Sequence, residues 1–395
     1  MRPHLISAAI VAGVVATAAC SVPVPSTFRS EKEQNEADPE TGSFGETPDG
    51  PSRPSAGCSP AKGQAEIADD GCDNDGDGKI DNVPTCDSTI RSDGSAADFA
   101  KAMGICDAAS TKGFGLVSAK FTRGHGRDDA PMAEQHGVLQ KFGNVLKPRE
   151  GARLGVLSTG YAQEYNGAPN RAFGGAEAGK DWFGARPGVG NGTAPPGYPK
   201  AAAGCQQATD VNDVIDLRLE LKAPPNAKGF KFDFNFLSGE WPAYICSRFN
   251  DGFVAYLSAK GFNGGAPENI SFDAKKNPVS VNNGFFDRCT PNATIGCLGG
   301  SPGKSTCPGG PEELAGTGFG IVGNYCGFLG GGTPSTSGGA TGWLSSQAPV
   351  QPGETFVLDL IIWDTGDGDL DSSVLLDNFK WIGGEVVAKT ERPPR

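Results

Sequence analysis

Two neighbouring segments of this chain alternate apolar and polar side chains with a period of two, and this feature constrains the fold most. They run over 215–222 and 229–237. A period of two puts each kind of side chain on one face of a strand, which is typical of antiparallel sheets with one buried face. The 59 glycines and 30 prolines in 395 residues supply many turns and argue against a helical bundle. The alternating apolar residues are Ile215, Leu217, Leu219, Leu221, Phe230, Phe232, Phe234 and Phe236.

Weaker strand patterns surround these two segments. One stretch has helical spacing, with Ser95 as its N-cap and Ala96, Phe99, Ala100 and Met103 on one face. Loops rich in glycine and proline separate eight strand segments in all, as in a β-sandwich. We therefore predict a mainly β fold, an antiparallel β-sandwich with a few short helices over 87–385, and a tail at 386–395. The weaker segments are 114–121, 153–158, 252–257 and 278–281. The segments 355–363 and 373–381 are apolar on both faces, as expected for central strands.

The N-terminus has the pattern of an export signal. Arg2 is the only charged residue before an uncharged, mostly apolar run over 5–19, which is too short to span a bilayer comfortably. Small residues then precede Cys20, which resembles a bacterial lipobox, although Thr17 stands where that motif usually has a branched apolar residue. We predict a signal peptide at 1–19, a lipid on Cys20 that anchors the chain in a membrane, and export to the outer membrane or cell surface. The alternative is an ordinary export cleavage site with Cys20 incidental.

The cysteine count agrees with a lipid anchor. Eleven cysteines in an exported chain leave one thiol over, and assigning Cys20 to the lipid leaves ten. We expect these ten to form five disulfides, which persist in an oxidising compartment. The best local pairings are Cys72 with Cys86 and one pair within 289–326. The ten are Cys58, Cys72, Cys86, Cys106, Cys205, Cys246, Cys289, Cys297, Cys307 and Cys326.

The segment 20–57 is predicted to be a disordered acidic tether. It is rich in Ser, Pro, Glu and Gly, has no apolar periodicity, and between residues 31 and 49 holds seven acidic residues against Lys32 alone. Such a composition buries too little apolar surface to offset the entropy lost on ordering. Behind a lipidated cysteine, it would hold the folded part away from the membrane.

The Cys-bounded unit 58–86 contains a calcium-type loop. Its ligands are predicted to be the carboxylates of Asp73, Asp75, Asp77 and Asp81 and the carbonyl of Lys79, around a turn at Gly78. Pro84 stands where an EF-hand needs Glu, so the loop is not an EF-hand. It is similar to the Asp-rich calcium repeats of the thrombospondin type 3 and dockerin kind and to short repeats of exported bacterial proteins. The alternative is a solvated acidic turn closed by a disulfide.

A second group of acidic and amide residues follows predicted strands. If the strands over 229–237 and 355–363 run parallel in space, their carboxyl ends share one end of the sandwich. So many carboxylates in one place imply a bound cation or repulsion that loosens the loops. We predict a second Ca²⁺ there, held by members of this set: Glu240, Asn250, Asp251, Asp364, Asp367 and Asp371.

Five separated motifs occur in an order that resembles the choice-of-anchor L domain family of bacterial exported proteins, over about 84–381. The motifs lie at 155–160, 210–242, 249–253, 277–283 and 364–372. This family carries its domain beside varied surface anchors, and a lipid on Cys20 would be one such anchor. The resemblance implies an exported surface module and no particular reaction.

Composition and the absence of catalytic motifs argue against some classes of function and leave three hypotheses. A net charge of −12 argues against binding nucleic acid. Catalytic motifs with Ser, Zn²⁺ or a phosphate loop do not occur, so we expect no enzyme activity. The leading hypothesis is a calcium-stabilised surface lipoprotein for adhesion or for binding an extracellular glycan or protein, with Trp241, Tyr244 and Trp363 near the ligand. The alternatives are a carbohydrate-active enzyme that pairs Glu240 with Asp251 or Asp371, and a purely structural coat protein.

Overall fold

The fold is known from a computed structural model that describes residues 58–165, 192–323, 326 and 334–393. The predicted signal peptide 1–19, Cys20 and the predicted tether 20–57 lie outside the described residues. Strands account for 33% of the structure and helices for 7%, and the sheets are antiparallel. The predicted mainly β fold with a few short helices is confirmed.

The regular elements are short except for the central strands. The helices are α1 (Ala96–Ala102) and α2 (Ala109–Lys112), with 3-10 turns at Ala133–Gln135, Asn263–Gly265 and Glu312–Leu314. The strands are β1 (Gly115–Thr122), β2 (His136–Leu139), β3 (Leu154–Ser158), β4 (Val211–Lys222), β5 (Gly229–Ser238), β6 (Gly252–Ser258), β7 (Glu268–Asn269), β8 (Val279–Ser280), β9 (Thr294–Ile295), β10 (Gly303–Lys304), β11 (Val322–Gly323), β12 (Ser335–Thr336), β13 (Gly339–Ala340), β14 (Leu344–Pro349), β15 (Thr355–Thr365), β16 (Ser372–Ile382) and β17 (Lys389–Glu391).

Two sheets form the sandwich. The first has the order β1-β4-β15-β6-β7, with β8 also paired to β6, and the second has the order β17-β14-β5-β16-β3-β2, with β13 also paired to β5. Two small ribbons, β9 with β10 and β11 with β12, lie in the Cys-rich region between β8 and β13. Consecutive long strands β15 and β16 belong to different sheets, so the connection 366–371 crosses from one sheet to the other.

The main core fills the space between the two sheets. All four alternating phenylalanines of β5 are completely buried there. Phe230 stacks on Phe356 of β15 with ring centroids 5.3 Å apart, and Phe234 lies 5.1 Å from Phe253 of β6. Aromatic pairs at this spacing stabilise a core beyond the area they bury. The phenylalanine alternation therefore joins the second sheet to the first.

The outer face of β5 departs from the prediction, because it is buried as well. Asp233 and Asn235 are only 2% and 0% exposed. Asp233 accepts hydrogen bonds from Arg149 Nε at 3.1 Å and from Asn378 Nδ2 at 2.8 Å. Long loops cover this face with a second apolar cluster, and loop packing has no periodic signal in the sequence. The cluster contains Phe142, Leu154, Val156, Tyr161, Leu237, Leu314, Phe319 and Leu375 among others.

The single predicted helix forms at its predicted N-cap. The Ser95 hydroxyl accepts a hydrogen bond from the Asp98 amide, and the Asp98 carboxylate accepts one from the Ser95 amide, which completes a capping box. Phe99 and Ala100 on the predicted apolar face are fully buried. Helix α1 thus closes one side of the core against β1 and β3.

Five disulfides connect all ten described cysteines, in the pairs Cys58–Cys72, Cys86–Cys106, Cys205–Cys246, Cys289–Cys307 and Cys297–Cys326. The predicted Cys72–Cys86 pair is wrong. The chain folds back after Cys58, with the Ala61 amide bonded to the Asn74 carbonyl, which brings Cys58 to Cys72. Cys86 instead reaches Cys106 beyond α1. The predicted pairing within 289–326 is confirmed, and both pairs of that region fall inside it.

Candidate functional site

The predicted group of acidic residues lies at one end of the sandwich, where the connection 366–371 passes from β15 to β16. The Gly239 amide after β5 donates to the Asp371 carbonyl at 3.0 Å. Before β6, the Asp251 carboxylate accepts hydrogen bonds from the Thr365 amide at 3.0 Å and from the Ser372 hydroxyl at 2.7 Å. These contacts bring the carboxyl ends of β5 and β15 to the same edge.

Five carboxylates at this edge are buried, and we call them the buried acidic end: Asp213, Glu240, Asp251, Asp364 and Asp371. None is more than 3% exposed. Among the described residues, both oxygens of Asp364, both of Asp371, one of Glu240 and one of Asp213 have no hydrogen-bond donor. Buried polar atoms in native proteins are nearly always paired, so six such oxygens in one place call for a physical explanation.

Burial disfavours the charged form of these carboxyl groups, and their mutual repulsion adds to that effect. Desolvation raises the pKa of Asp213 and of Asp251 to about 7. It also raises the pKa values of Glu240, Asp364 and Asp371 well above their ordinary range, and the nearby carboxylates raise them further. The end therefore cannot hold its full negative charge without a compensating cation or bound protons.

The remaining predicted members lie at the rim of this end. Asn250 is 3% exposed, its Nδ2 donates to Gln207 Oε1 at 2.9 Å, and its Oδ1 has no donor among the described residues. Asp367 is half-buried and Asp369 is exposed. Asp367 and Asp369, the latter not among the predicted ligands, both raise the pKa of Glu240 electrostatically and act on other acids of the cluster as well.

Asp213 is the functional candidate that the sequence does not reveal. It lies inside β4, and its backbone has a φ of 49°, in the left-handed region that non-glycine residues rarely adopt. In the alternation of β4 it is in step with Ile215 and Leu217, so the pattern assigns an acidic side chain to the apolar, core-facing side of the strand. The local backbone turn and the neighbouring strand β15 bring its carboxylate to Asp364 and Asp371 instead.

The proposed glycosidase pairs occupy positions that a saccharide cannot reach. Glu240 is 2% exposed, and Asp251 and Asp371 are 0% exposed. A catalytic carboxylate pair has to flank the glycosidic bond from two sides of an open cleft. These three carboxylates therefore lack the access that this enzyme hypothesis requires. Trp241 and Trp363 are likewise buried, at 2% and 1% exposure, so they do not line a ligand site.

The first acidic loop has a different geometry. Within the described ranges, Glu66, Asp73 and Asp75 form the one group whose side-chain ligand atoms all lie within 4.8 Å of one another. Glu66 is 8% exposed, and burial raises its pKa. Its oxygens accept hydrogen bonds from the backbone amides of Asn74, Asp75 and Asp81. Three carboxylates at this spacing suit a hard divalent cation.

The other predicted ligands of this loop make contacts elsewhere. Asp77 accepts hydrogen bonds from the Lys79 amide and from Asn82 Nδ2, both at 2.9 Å. Asp81 accepts hydrogen bonds from the amides of Asp70 and Gly71. Glu66, which precedes the motif, takes their place beside Asp73 and Asp75. Sequence reasoning missed Glu66 because it lies outside the nine-residue motif.

The same unit is fixed to the sandwich next to Glu66. The Ala65 amide donates to Asn226 Oδ1 at 3.0 Å, and Asn226 Nδ2 donates to the Ala65 carbonyl at 2.8 Å. Asn226 lies in the turn between β4 and β5. The Cys86–Cys106 disulfide adds a covalent connection to the region after α1. Glu66 thus joins the calcium-type loop to the folded core.

A cleft lies on another surface of the sandwich, between the segment 272–285 and strand β17. Its volume is about 740 Å³, and a smaller cleft of about 340 Å³ lies on the other side of Phe272. Asn282 Oδ1 accepts the Cys246 amide at 2.8 Å, which fixes the orientation of this amide side chain in the wall. The wall of the larger cleft includes Phe272, Lys275, Asn282, Phe285 and Arg392.

The two described histidines, His125 and His136, do not complete a catalytic site. The His136 ring stacks on Phe121 with centroids 3.8 Å apart, and desolvation lowers its pKa to about 4. His125 Nδ1 lies 3.3 Å from Asp359 Oδ2 on the outer face of the first sheet.

The described residues include no helix that is both long and apolar enough to cross a membrane.

Comparison with known proteins agrees with this architecture. No curated protein and no solved structure matches the chain. A family model, that of the choice-of-anchor L domain, matches residues 155–380. The match runs from β3 to β16 and so includes both sheets and the carboxylates of the buried acidic end. Domains of this kind are typically exported or on the cell surface, and theirs is not an enzyme family. Because the match covers more than half of the chain, the protein belongs to the choice-of-anchor L domain family.

Proposed function

We propose that this protein is a non-catalytic surface lipoprotein that captures an extracellular saccharide and whose calcium-type loop is stabilised by Ca²⁺. The observation that carries the proposal is the cleft of about 740 Å³ between the segment 272–285 and β17. Its volume falls within the range of sites that bind small molecules.

The lining of the cleft supports a saccharide. The rings of Phe272 and Phe285 offer apolar surface to the C–H faces of a sugar, and the exposed Lys275 ammonium offers donors to hydroxyl oxygens. Asn282 is enclosed in the wall, where its Oδ1 accepts the Cys246 amide. This part of the cleft is therefore ordered before a ligand binds and loses little entropy on binding.

Calcium contributes stability in this proposal. A cation held by Glu66, Asp73 and Asp75 would neutralise the three carboxylates and fix the loop. Because Ala65 is hydrogen-bonded to Asn226 in the β4–β5 turn, the same cation would hold the small unit on the sandwich. The predicted lipid on Cys20 would anchor the assembly to the membrane, with several acyl chains giving stable attachment.

A glycan array, run with the full chain in Ca²⁺ and again in chelator, tests the proposal. We expect specific glycans to bind, and we expect Phe285→Ala and Lys275→Ala to weaken binding at least fivefold. Lys62→Ala, an exposed lysine outside the cleft, serves as the matched control and should change nothing. An array without binding in either condition, or binding that both cleft variants leave intact, would contradict saccharide capture at this site.

A further inference from the structure

Both sheets contribute carboxylates to the buried acidic end. Asp213, Asp251 and Asp364 belong to the first sheet or directly precede one of its strands, and Glu240 and Asp371 flank strands of the second. Among the described residues, no lysine, arginine or histidine forms an ion pair with any of the five. Within the described part of the chain these charges have no counter-charge in direct contact, and Arg123 acts electrostatically on Asp213 alone among the five.

We propose that the buried acidic end is a second divalent-cation site, in which Asp251, Asp364 and Asp371 hold Ca²⁺ between the two sheets. Ca²⁺ prefers six to eight oxygen ligands, and the four oxygens of Asp364 and Asp371 have no donor. The amide oxygen Asn250 Oδ1, also without a donor, adds a neutral ligand beside them. This site is independent of the saccharide cleft and of the Glu66 loop.

The surroundings of these three carboxylates are built to hold them in place. Asp251 is fixed by the Thr365 amide and the Ser372 hydroxyl, so one acid of the set is already oriented. Asp371 lies against Gly160, where an added Cβ would come 2.1 Å from Asp371 Oδ2. Only glycine at 160 leaves room for the carboxylate. The backbone of the GVLSTG motif thus makes space for an acid that has no donor.

The distances between the carboxylate oxygens also indicate how cation binding would change the structure. Within the described part of the chain, three carboxylate oxygens lie within 4.8 Å of one another only at Glu66, Asp73 and Asp75. The three acids of the buried end are therefore less tightly grouped than those of the loop, although the carboxyl groups of Asp251 and Asp364 are close enough to interact directly. Binding would draw the connection 366–371 towards Asp251. The cation would then close this end of the sandwich by linking β15 to β16.

Calorimetric titration of the full chain with Ca²⁺ alone tests this site, once the loop site is removed. In a background with Asp73→Asn and Asp75→Asn, we expect one equivalent of Ca²⁺ to remain bound. Adding Asp364→Asn together with Asp371→Asn should then weaken that binding at least tenfold. The matched control is Asp377→Asn, since Asp377 is a buried acid of β16 that accepts hydrogen bonds from three backbone amides. It should leave the affinity unchanged.

A second measurement keeps the test independent of stability. Trp363 directly precedes Asp364, so Tb³⁺ bound at this end should give luminescence on excitation of tryptophan, and Trp363→Phe should remove most of it in the same background. Folding of each variant is checked by circular dichroism, and replacing Asp by Asn removes repulsion, so the variants should fold. Two results would overturn the proposal: no Ca²⁺ bound in the loop-deficient background, or Ca²⁺ binding that the Asp364 and Asp371 changes leave intact.

Discussion

The two acidic regions of this protein contain the same kinds of side chain in opposite environments. In the first loop, the carboxylates of Asp73 and Asp75 accept hydrogen bonds from amides of their own turn. At the buried acidic end, Asp364 and Asp371 are enclosed and have no donor. Solvent and local amides can stabilise the loop without a cation, whereas Asp364 and Asp371 have neither. The region that is less conspicuous in the sequence therefore has the greater physical need for a cation.

The largest expected effect comes from removing calcium altogether. A ligand at one hundred times its dissociation constant stabilises the folded state by about 2.7 kcal/mol per site, so two sites give about 5 kcal/mol. We expect chelation to lower the free energy of unfolding by about that amount, measured by urea denaturation with and without Ca²⁺. A loss near 2–3 kcal/mol would mean that only one of the two regions binds the ion.

Gly160→Ala should give the next largest effect, and it acts on the buried end alone. The new Cβ would meet Asp371 Oδ2 at 2.1 Å, so the Asp371 side chain or the chain at 159–161 has to shift. We expect a loss of about 2–3 kcal/mol in thermal or urea unfolding, as for overpacking of a buried position. Gly384→Ala, which meets no atom within 4 Å, is the control and should cost less than about 1 kcal/mol. Equal losses for the two glycines would contradict the close packing of Asp371.

Replacing one acidic residue in each region, with Ca²⁺ removed by a chelator, compares the two regions directly. Asp364→Asn should stabilise the protein by about 1–2 kcal/mol without Ca²⁺, because it removes a desolvated charge that neighbouring carboxylates repel. Asp75→Asn, in the half-buried loop, should change stability by less than about 0.5 kcal/mol under the same conditions. If Asp364→Asn destabilises in chelator as much as it does in Ca²⁺, then Asp364 has a structural partner and the comparison fails.

The smallest expected effect is a pH dependence that belongs to neither acidic region. The pKa of His136 is lowered to about 4 by burial, against about 6.5 when unfolded. Between these values the unfolded chain binds a proton that the folded chain does not, so this residue makes stability fall as the pH drops from 6.5 to 4. We expect His136→Phe to remove about 1 kcal/mol of the fall between about pH 6.5 and about pH 5.5, because Phe cannot bind the proton and keeps the stacking on Phe121. Parallel pH profiles for the variant and the parent would assign the fall elsewhere.

The sequence predicts the regular parts of this fold well. The alternation at 215–222 and 229–237 identifies β4 and β5, since the period of two records which face meets the core. Ser95 marks the start of α1 because the capping interactions are local. The sequence locates the ends of the strands less accurately than their centres. Strand β15 continues two residues past the predicted end at 363, so Asp364 is a strand residue.

What the sequence does not predict depends on contacts between distant segments. Asp213 joins the buried acidic end only because β4 pairs with β15 and its backbone turns at that residue. Glu66 enters the calcium-type loop from outside the motif, and Cys58 displaces Cys86 as the partner of Cys72. The cleft of about 740 Å³ is not predicted from the motif at 277–283, because its other wall comes from the last strand, which is distant in sequence.

The most direct test of the second cation site is an anomalous difference map from crystals of the full chain grown with Ca²⁺. Two peaks are expected in this map. One lies beside Glu66, Asp73 and Asp75, and the other lies about 2.3–2.6 Å from carboxylate oxygens of Asp251, Asp364 and Asp371. A map with a peak at the loop and none at the buried acidic end would contradict the second cation site, because the enclosed carboxylates would then be balanced by protons alone.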